Sequence, residues 1–171
     1  MAEKLLEVSE IAAEREIVLT RVFEAPRKMV WEAWTDPKQV GLWWGPKGFT
    51  TTIEVMDVRA GGVWRFLMHG PDGTDYPNES IFTDVVPYER LGYKLTGGKK
   101  GGPVVRMDKI ATFEEEDGGT RVTMRLVFAS AEARDQNVRE YGSIEGGRQT
   151  LERLAEHLSV RLSANANGGM R

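Results

Sequence analysis

Residues 143–162 read SIEGGRQTLERLAEHLSVRL, and this stretch decides the fold. Its apolar residues recur at the spacing of an α-helix and, with Tyr141 just before the stretch, form one stripe: Tyr141, Ile144, Leu151, Leu154, Leu158 and Leu162. The opposite face is polar and carries Glu145, Gln149, Glu152, Arg153 and Glu156. The pattern predicts a long amphipathic helix that buries one face. Ser130 is a candidate N-cap, but Gly142 interrupts the pattern, so the helix begins near Ala131 or only near Ser143.

Seven runs upstream of this helix have the composition of β-strands. They span residues 16–23, 51–58, 63–69, 80–86, 90–96, 104–114 and 120–128. Two of these runs alternate clearly between apolar and polar residues. The apolar face of one carries Trp64, Phe66 and Met68, and the apolar face of the other carries Val122, Met124, Leu126 and Phe128. The turns between successive runs are short from residue 51 onwards, which predicts antiparallel neighbours.

Two short helices are predicted between the first and second strands. Pro26 starts one, and Asp36-Pro37 ends it and caps the next, which Gly45-Pro46 closes. The whole is an α+β domain in which a curved antiparallel seven-stranded sheet wraps around the C-terminal helix. Because one helix cannot cover so wide a sheet, a gap between them is the expected place for a ligand.

Composition narrows the classes of function. The 171 residues correspond to one ordinary domain, and the absence of cysteine excludes disulfides, thiolate nucleophiles and cysteine-bound metals. A net charge of -3 without a basic stripe argues against nucleic acid as a partner. No apolar run approaches the roughly 20 residues of a membrane span, so no membrane association is expected. The cysteine-free composition suits the cytoplasm.

One structural domain is expected. Residues 1–14 form an N-terminal extension, residues 15–162 the domain, and residues 163–171 a disordered tail rich in Ala, Asn and Gly.

A set of short motifs resembles the Hsp90 ATPase activator homologue family. They are RVFEAP at 21–26, VW at 30–31, WTDP at 34–37, WWGP at 43–46, GGVW at 61–64, PDG at 71–73, EGG at 145–147 and QTLERL at 149–154. The resemblance runs from about residue 16 to about residue 160. It implies the helix-grip fold of the START and Bet v 1-like (SRPBCC) superfamily, which includes hydrophobic-ligand carriers and polyketide cyclases. Co-chaperones that stimulate Hsp90 resemble a two-domain design for which this chain has no room, so Hsp90 is not an expected partner.

Thirteen residues are predicted to line the ligand pocket. They are Trp44, Trp64, Phe66, Met68, Tyr76, Tyr93, Met107, Met124, Leu126, Tyr141, Ile144, Gly147 and Leu151. The alternative is that these side chains fill a closed core, and the adaptable methionines favour a pocket. Gly147 lies on the apolar helix face, where glycine costs about 1 kcal/mol relative to alanine, which indicates close packing against a strand or space kept for a ligand.

Four tryptophans fall within fourteen residues, at Trp31, Trp34, Trp43 and Trp44. Such rings usually anchor short helices to a sheet. The alternative is an aromatic gate at the pocket mouth, with Trp44 as the best candidate because it precedes the Gly45-Pro46 bend.

No catalytic residue is identified from the sequence. His69 beside the turn at 71–73 is interpreted as a solvated histidine, and His157 as a surface residue of the helix. The two histidines are far apart and lack clustered carboxylates, so neither a metal nor a cofactor is expected. Tyr76, Tyr93, Arg65 and Arg106 remain as polar groups within reach of a pocket mouth, although a surface role is expected for each.

Three hypotheses follow for function. The first is a binder of a small hydrophobic molecule in the cavity between sheet and helix. The second is a polyketide cyclase or aromatase-like enzyme, which requires an ionisable group facing that cavity. The third is a protein-interaction module or stress-linked cofactor of chaperones, with a homodimer through the tryptophan-rich segment as one version.

Overall fold

The computed structural model describes residues 6–9 and 15–168 of the chain. Its elements are β1 (Leu6–Ser9), β2 (Glu16–Phe23), α1 (Arg27–Thr35), α2 (Pro37–Trp43), β3 (Thr50–Met56), β4 (Val63–His69), β5 (Asp75–Val86), β6 (Arg90–Gly97), β7 (Val105–Glu116), β8 (Gly119–Val127), α3 (Ala131–Tyr141) and α4 (Ser143–Gly168). The strands form one antiparallel sheet in the order β1-β2-β8-β7-β6-β5-β4-β3. With α4 packed against its inner face, this is the predicted helix-grip fold.

The seven predicted strands are β2 to β8, and β1 is an addition within the predicted N-terminal extension. β1 pairs with β2 from Leu6 opposite Arg21 to Ser9 opposite Val18. β5 begins five residues before its predicted start and includes Pro77. Proline fits there because the pairing of β5 with β6 begins only at Glu79, so this part of the strand has a single neighbour.

Local chemistry sets the ends of the helices as predicted. Asp36 caps α2 by accepting a hydrogen bond from the backbone N–H of Lys38 at 3.1 Å, and Pro37 is the first helical residue. Ser130 caps α3 by accepting from the N–H of Ala133 at 3.0 Å. Gly142, at φ 56°, lies in the left-handed region and separates α3 from α4, so both predicted starting points are real helix beginnings.

The C-terminal helix is longer than its apolar stripe. α4 continues from Leu162 to Gly168, so residues 163–168 are helical and the prediction of a disordered tail is wrong for them. Alanine has the highest intrinsic helix propensity, which lets the helix extend without burying more apolar surface. Residues 169–171 lie outside the described residues. In the described part of the chain, no helix is long and apolar enough to cross a membrane.

The tryptophans anchor α1 and α2 to the sheet. Trp34 and Trp43 are buried with their ring centroids 5.1 Å apart, and Trp34 also lies edge-on to Phe113 of β7 at 5.4 Å. The indole N–H of Trp43 donates to the carbonyl of Ala33 at 2.9 Å. These contacts close one end of the space between sheet and helix, and we call this end the tryptophan half.

Candidate functional site

A cavity of about 180 Å³ occupies the other end of that space, which we call the cavity half. Its walls are the inner face of the sheet, the junction of α3 with α4, and the segment that follows α2. The lining residues are Leu19, Trp44, Gly45, Pro46, Phe66, Met68, Tyr76, Asn78, Leu95, Gly98, Val105, Met107, Lys109, Met124, Leu126, Asn137, Tyr141, Ser143, Gly146, Gly147 and Thr150. Most of the wall is therefore apolar, with a few polar groups.

Most residues predicted to line a pocket lie on this wall. They are Trp44, Phe66, Met68, Tyr76, Met107, Met124, Leu126, Tyr141 and Gly147. At Gly147 a Cβ would lie 2.4 Å from Cδ1 of Leu19, so this glycine packs closely against β2 at the edge of the cavity. Trp44 borders both halves, because its ring also contacts Trp34 and Trp64.

Four predicted pocket residues lie elsewhere. Trp64 and Tyr93 are buried in ring contact with each other at 5.4 Å, and Leu151 is fully buried in the core. Ile144 faces a separate groove beside Ile17 and Val138. The four residues share the inner face of the sheet or the apolar face of the helix, as predicted, but Trp64, Tyr93 and Leu151 are packed in the core and Ile144 lies outside the cavity.

Lys109 is the charged residue of the cavity wall. It lies on the inner face of β7, paired across the sheet with Tyr93 of β6 and Leu126 of β8. Its Nζ lies 5.3 Å from the centroid of the Trp44 ring, within the range of a cation–π interaction. Among the described residues, no carboxylate lies within the 4.0 Å of a salt bridge and no hydrogen-bond partner is found for this amine. Lys109 is therefore a partly buried cation that has no counter-ion among the residues the structure describes.

Burial sets the proton affinity of this amine. The side chain keeps some accessible surface at the cavity, yet its ammonium is surrounded by protein, and the resulting loss of hydration lowers the pKa of Lys109 to about 8. Burial also raises the pKa of the Tyr93 phenol beside it and, with the nearby Asp72 and Tyr141, that of Tyr76. Both phenols therefore stay neutral and do not compensate the charge.

Two further polar side chains on the wall lack partners. Within the described ranges 6–9 and 15–168, neither Oδ1 of Asn137 in α3 nor Oγ of Ser143 at the start of α4 has a hydrogen-bond partner, although both atoms are buried. Asn78, by contrast, donates to the carbonyl of Tyr76 at 2.9 Å, and the hydroxyl of Tyr141 accepts from the N–H of Lys99 at 3.3 Å. The α3–α4 junction thus presents unsatisfied polar atoms at the cavity.

Arg153 holds the wall segment after α2 in place. Its Nη1 lies within hydrogen-bonding distance of four backbone carbonyls, those of Trp44 (3.3 Å), Gly45 (2.9 Å), Pro46 (3.1 Å) and Phe49 (3.2 Å). Nη2 reaches the carbonyl of Leu42 at 3.4 Å. Lys47 adds a salt bridge to Glu152 at 3.0 Å. Residues 42–49 are therefore fastened to α4 by side chains that the sequence pattern placed on its polar face.

The other polar candidates do not reach the cavity. His69 lies between strands, with Nδ1 3.0 Å from Oδ1 of Asp75 and Nε2 2.9 Å from Oγ1 of Thr52. Arg65 pairs with Glu79 on the outer face at 2.9 Å, and Arg106 is exposed on β7.

His157 is not an ordinary surface residue, because its Nε2 lies 2.9 Å from Oε1 of Gln39 in α2. Burial, and then the charge of Arg161, lower the pKa of His157. The prediction failed because α2 covers part of the polar face of α4.

Lys109 was missed from the sequence, although a signal for it exists. Along β7 the inward positions alternate, and Ala111 and Phe113 are buried in the same row as Met107. A period of two from those residues places Lys109 inside. Because lysine is usually exposed, Lys109 was not placed on the inner face from the sequence.

The fold and the apolar cavity define the chain as a helix-grip protein, a fold whose members commonly bind hydrophobic ligands. The family model described as "Activator of Hsp90 ATPase homolog 1-like protein" matches residues 24–159, and the chain belongs to this family.

Solved structures agree with this assignment. A Mycobacterium smegmatis protein is 30% identical with a TM-score of 0.81, and the match covers 91% of this chain and 98% of that one. An Arthrobacter aurescens protein is 28% identical (TM-score 0.82; 91% and 92% covered), and a Nitrosomonas europaea protein is 26% identical (TM-score 0.78; 90% and 99% covered). No curated protein matches the chain.

Proposed function

We propose that the protein binds one small hydrophobic molecule in the cavity half. The observation that carries this proposal is a cavity of about 180 Å³ between sheet and helix, with a wall that is mostly apolar. An apolar cavity of roughly 150 Å³ is enough to hold benzene, so a compact ligand the size of a substituted benzene ring fits. Such a ligand would replace the contacts that an empty space denies to the surrounding side chains.

The wall is built from residues that leave room and adapt. Met68, Met107 and Met124 are unbranched and polarizable, and their side chains adjust to ligands of different shape. Gly146 and Gly147 of α4 add no side chain over the space between helix and sheet. A wall of this composition favours binding by shape and apolar contact over a rigid catalytic geometry.

The methionine methyl groups supply a direct test. Toluene is titrated into protein labelled with ¹³C at these methyls, and we expect the signals of Met68, Met107 and Met124 to shift together. Met29 and Met56 also pack against the core but do not line the cavity, so their signals serve as internal controls. Toluene that shifts none of the methionines, or all of them equally, contradicts the proposal.

A matched pair of variants on β7 completes this experiment. Val105→Trp places a large ring in the cavity, and we expect it to abolish toluene binding. Arg106→Trp adds the same ring at the next position, which is exposed, and we expect it to leave binding unchanged.

A second candidate function is a polyketide cyclase or aromatase-like enzyme, and Lys109 is the observation that favours it. An amine with a pKa of about 8 exchanges a proton near neutral pH, as a general acid or base must. Conversion of a poly-β-ketone thioester should then rise as the amine loses its proton around pH 8 and be lost in Lys109→Gln. Equal conversion by Lys109→Gln would contradict this candidate.

The tryptophan-rich segment offers little to a partner protein. The rings of Trp34, Trp43 and Trp44 are buried, so they present no aromatic surface to a second copy of the chain.

A further inference from the structure

We propose that the cavity selects hydrophobic molecules that carry one anionic group, such as an aromatic monocarboxylate, and that Lys109 binds this group. The inference rests on the proposed function of the cavity and names the class of ligand. It starts from the composition of the wall, where, of the described residues, Lys109 is charged and the other lining side chains are apolar or neutral.

The position of Lys109 leaves its amine available to a ligand. The face of the Trp44 ring attracts the ammonium but supplies no full negative charge, and the neighbours across the sheet are a neutral phenol and a leucine. An ammonium has three N–H donors, and within the described residues none of them has a partner. A carboxylate in the cavity would supply both the acceptors and the missing charge.

A second observation points to a ligand at the same place. Asn137 is 6% exposed and lines the cavity, and its Oδ1 and the Oγ of Ser143 have no hydrogen-bond partner in the part of the chain that the structure describes. Buried polar atoms are normally hydrogen-bonded, so we infer that a group of the ligand inside the cavity pairs with these two atoms. A hydroxyl or amide on the ligand would pair with them while its carboxylate meets Lys109.

The charges around the site make the pH dependence specific to Lys109. The other titratable groups near Lys109 are phenols: Tyr76 of β5 and Tyr141 of α3 line the same cavity, and Tyr93 of β6 is its cross-strand partner. Behind the Trp44 wall lies the guanidinium of Arg153, held by backbone carbonyls. No carboxylate is among the described residues that line the cavity, so loss of the Lys109 proton should govern the binding of an anion near pH 8.

The test compares benzoate, benzamide and toluene, which share a ring and differ in charge and polarity. Affinities are measured at pH 7 from the methionine methyl shifts. The wild-type protein should bind benzoate at least about tenfold more tightly than benzamide, because the ammonium then meets a full negative charge and not a neutral carbonyl. As the pH rises above 8, benzoate affinity should fall by up to about tenfold per pH unit while toluene affinity stays constant.

Two lysine variants provide the matched comparison. Lys109→Met should lose the preference for benzoate and keep or gain affinity for toluene. Lys94→Met removes an exposed lysine from the adjacent strand, where it pairs with Asp108 at 3.3 Å, and should behave as wild type. The pH profile of the wild-type protein gives the same information without any substitution.

The two proposals fail in different ways. If toluene binds but benzoate binds no better than benzamide, or if the affinity for benzoate does not change with pH, the cavity is a ligand site but Lys109 does not bind an anionic group there. If toluene shifts none of the methionines of the cavity, the proposed function fails and this inference fails with it.

Discussion

The tryptophan half and the cavity half lie between the same sheet and the same helix, yet one is filled and the other is open. The inward row of β7 runs through both: Phe113 and Ala111 pack in the tryptophan half, and Lys109, Met107 and Val105 line the cavity. In the first half, indole rings and Phe113 interlock edge to face. In the second, methionines and glycines surround a space that contains an unpaired cation.

The contrast indicates a division of roles. Close packing of large rings contributes most to the free energy of unfolding, because each buries a large apolar area. An enclosed lysine without a counter-ion opposes folding. The tryptophan half therefore stabilises a domain whose cavity half contains a charge that does not contribute to folding.

The largest expected effect is in the tryptophan half. Trp34→Ala removes a fully buried ring that contacts Trp43, Trp44 and Phe113, and should lower the free energy of unfolding by about 3–5 kcal/mol. Met107→Ala, which enlarges an existing cavity, should have a clearly smaller effect. Urea denaturation of both variants measures the difference. Equal losses of unfolding free energy in the two variants would show that the tryptophan half does not stabilise the domain more than the cavity half.

The next effect has the opposite sign and belongs to the cavity half. Lys109→Met should raise the free energy of unfolding by about 1–3 kcal/mol at pH 7, because it replaces an enclosed charge with an apolar side chain of similar length. Lys94→Met on the adjacent strand is the control and should change stability little. A destabilised Lys109→Met would mean that the amine has a stabilising partner in the folded protein.

The gain from Lys109→Met should depend on pH in a defined direction. Below pH 8 the amine is protonated in both folded and unfolded chains, so the wild type carries the full penalty. Between pH 8 and the ordinary value of 10.5 the folded chain gives up its proton while the unfolded chain keeps it. Wild-type stability therefore rises relative to the variant, and the gain disappears above pH 10.5. Denaturation curves across pH 7–10 measure this, and a constant gain contradicts it.

A smaller loss of stability should follow when residues 42–49, which form the wall between the two halves, are released from α4. Arg153→Met removes the hydrogen bonds to the carbonyls of residues 42–49 and should destabilise the protein by about 1–2 kcal/mol. Amide hydrogen exchange should increase in this segment more than elsewhere. Arg148→Met, one turn earlier on α4 and exposed, is the control. Unchanged exchange at 42–49 would show that Trp44 and its neighbours hold the wall without Arg153.

The smallest effect separates two adjacent glycines of α4. Gly146→Ala meets only Pro46 at 3.5 Å and should stabilise the helix slightly, whereas Gly147→Ala would place its Cβ 2.4 Å from Cδ1 of the buried Leu19. We expect Gly147→Ala to be less stable than Gly146→Ala by about 1 kcal/mol in thermal unfolding. The reverse order would indicate that β2 yields easily at the edge of the cavity.

Much of the fold could be predicted because its signals are local. The apolar stripe of α4, the alternation in β4 and β8, and the Asp36-Pro37 boundary depend on neighbouring residues only. β1 gave no comparable signal, because four residues are too few to show a period.

The site was harder to predict because it depends on contacts distant in sequence. Trp64 and Phe66 share one face of β4, but rings from other parts of the chain, those of Trp44, Phe82 and Tyr93, enclose Trp64, while Phe66 borders the cavity. Arg153 belongs to the polar face of the helix, and its partners lie more than a hundred residues away. The inward position of Lys109 could have been predicted from the alternation of residues along β7, but only by assuming that a lysine faces inward.

The most direct test of this account is the titration of Lys109 itself. NMR of the side-chain amine, assigned by comparison with Lys109→Met, should give a midpoint near pH 8 in the protein without ligand, and a higher midpoint when benzoate is bound. A midpoint at or above the ordinary 10.5 without ligand would show that the amine is hydrated or paired, and would contradict an unpaired cation in the cavity half.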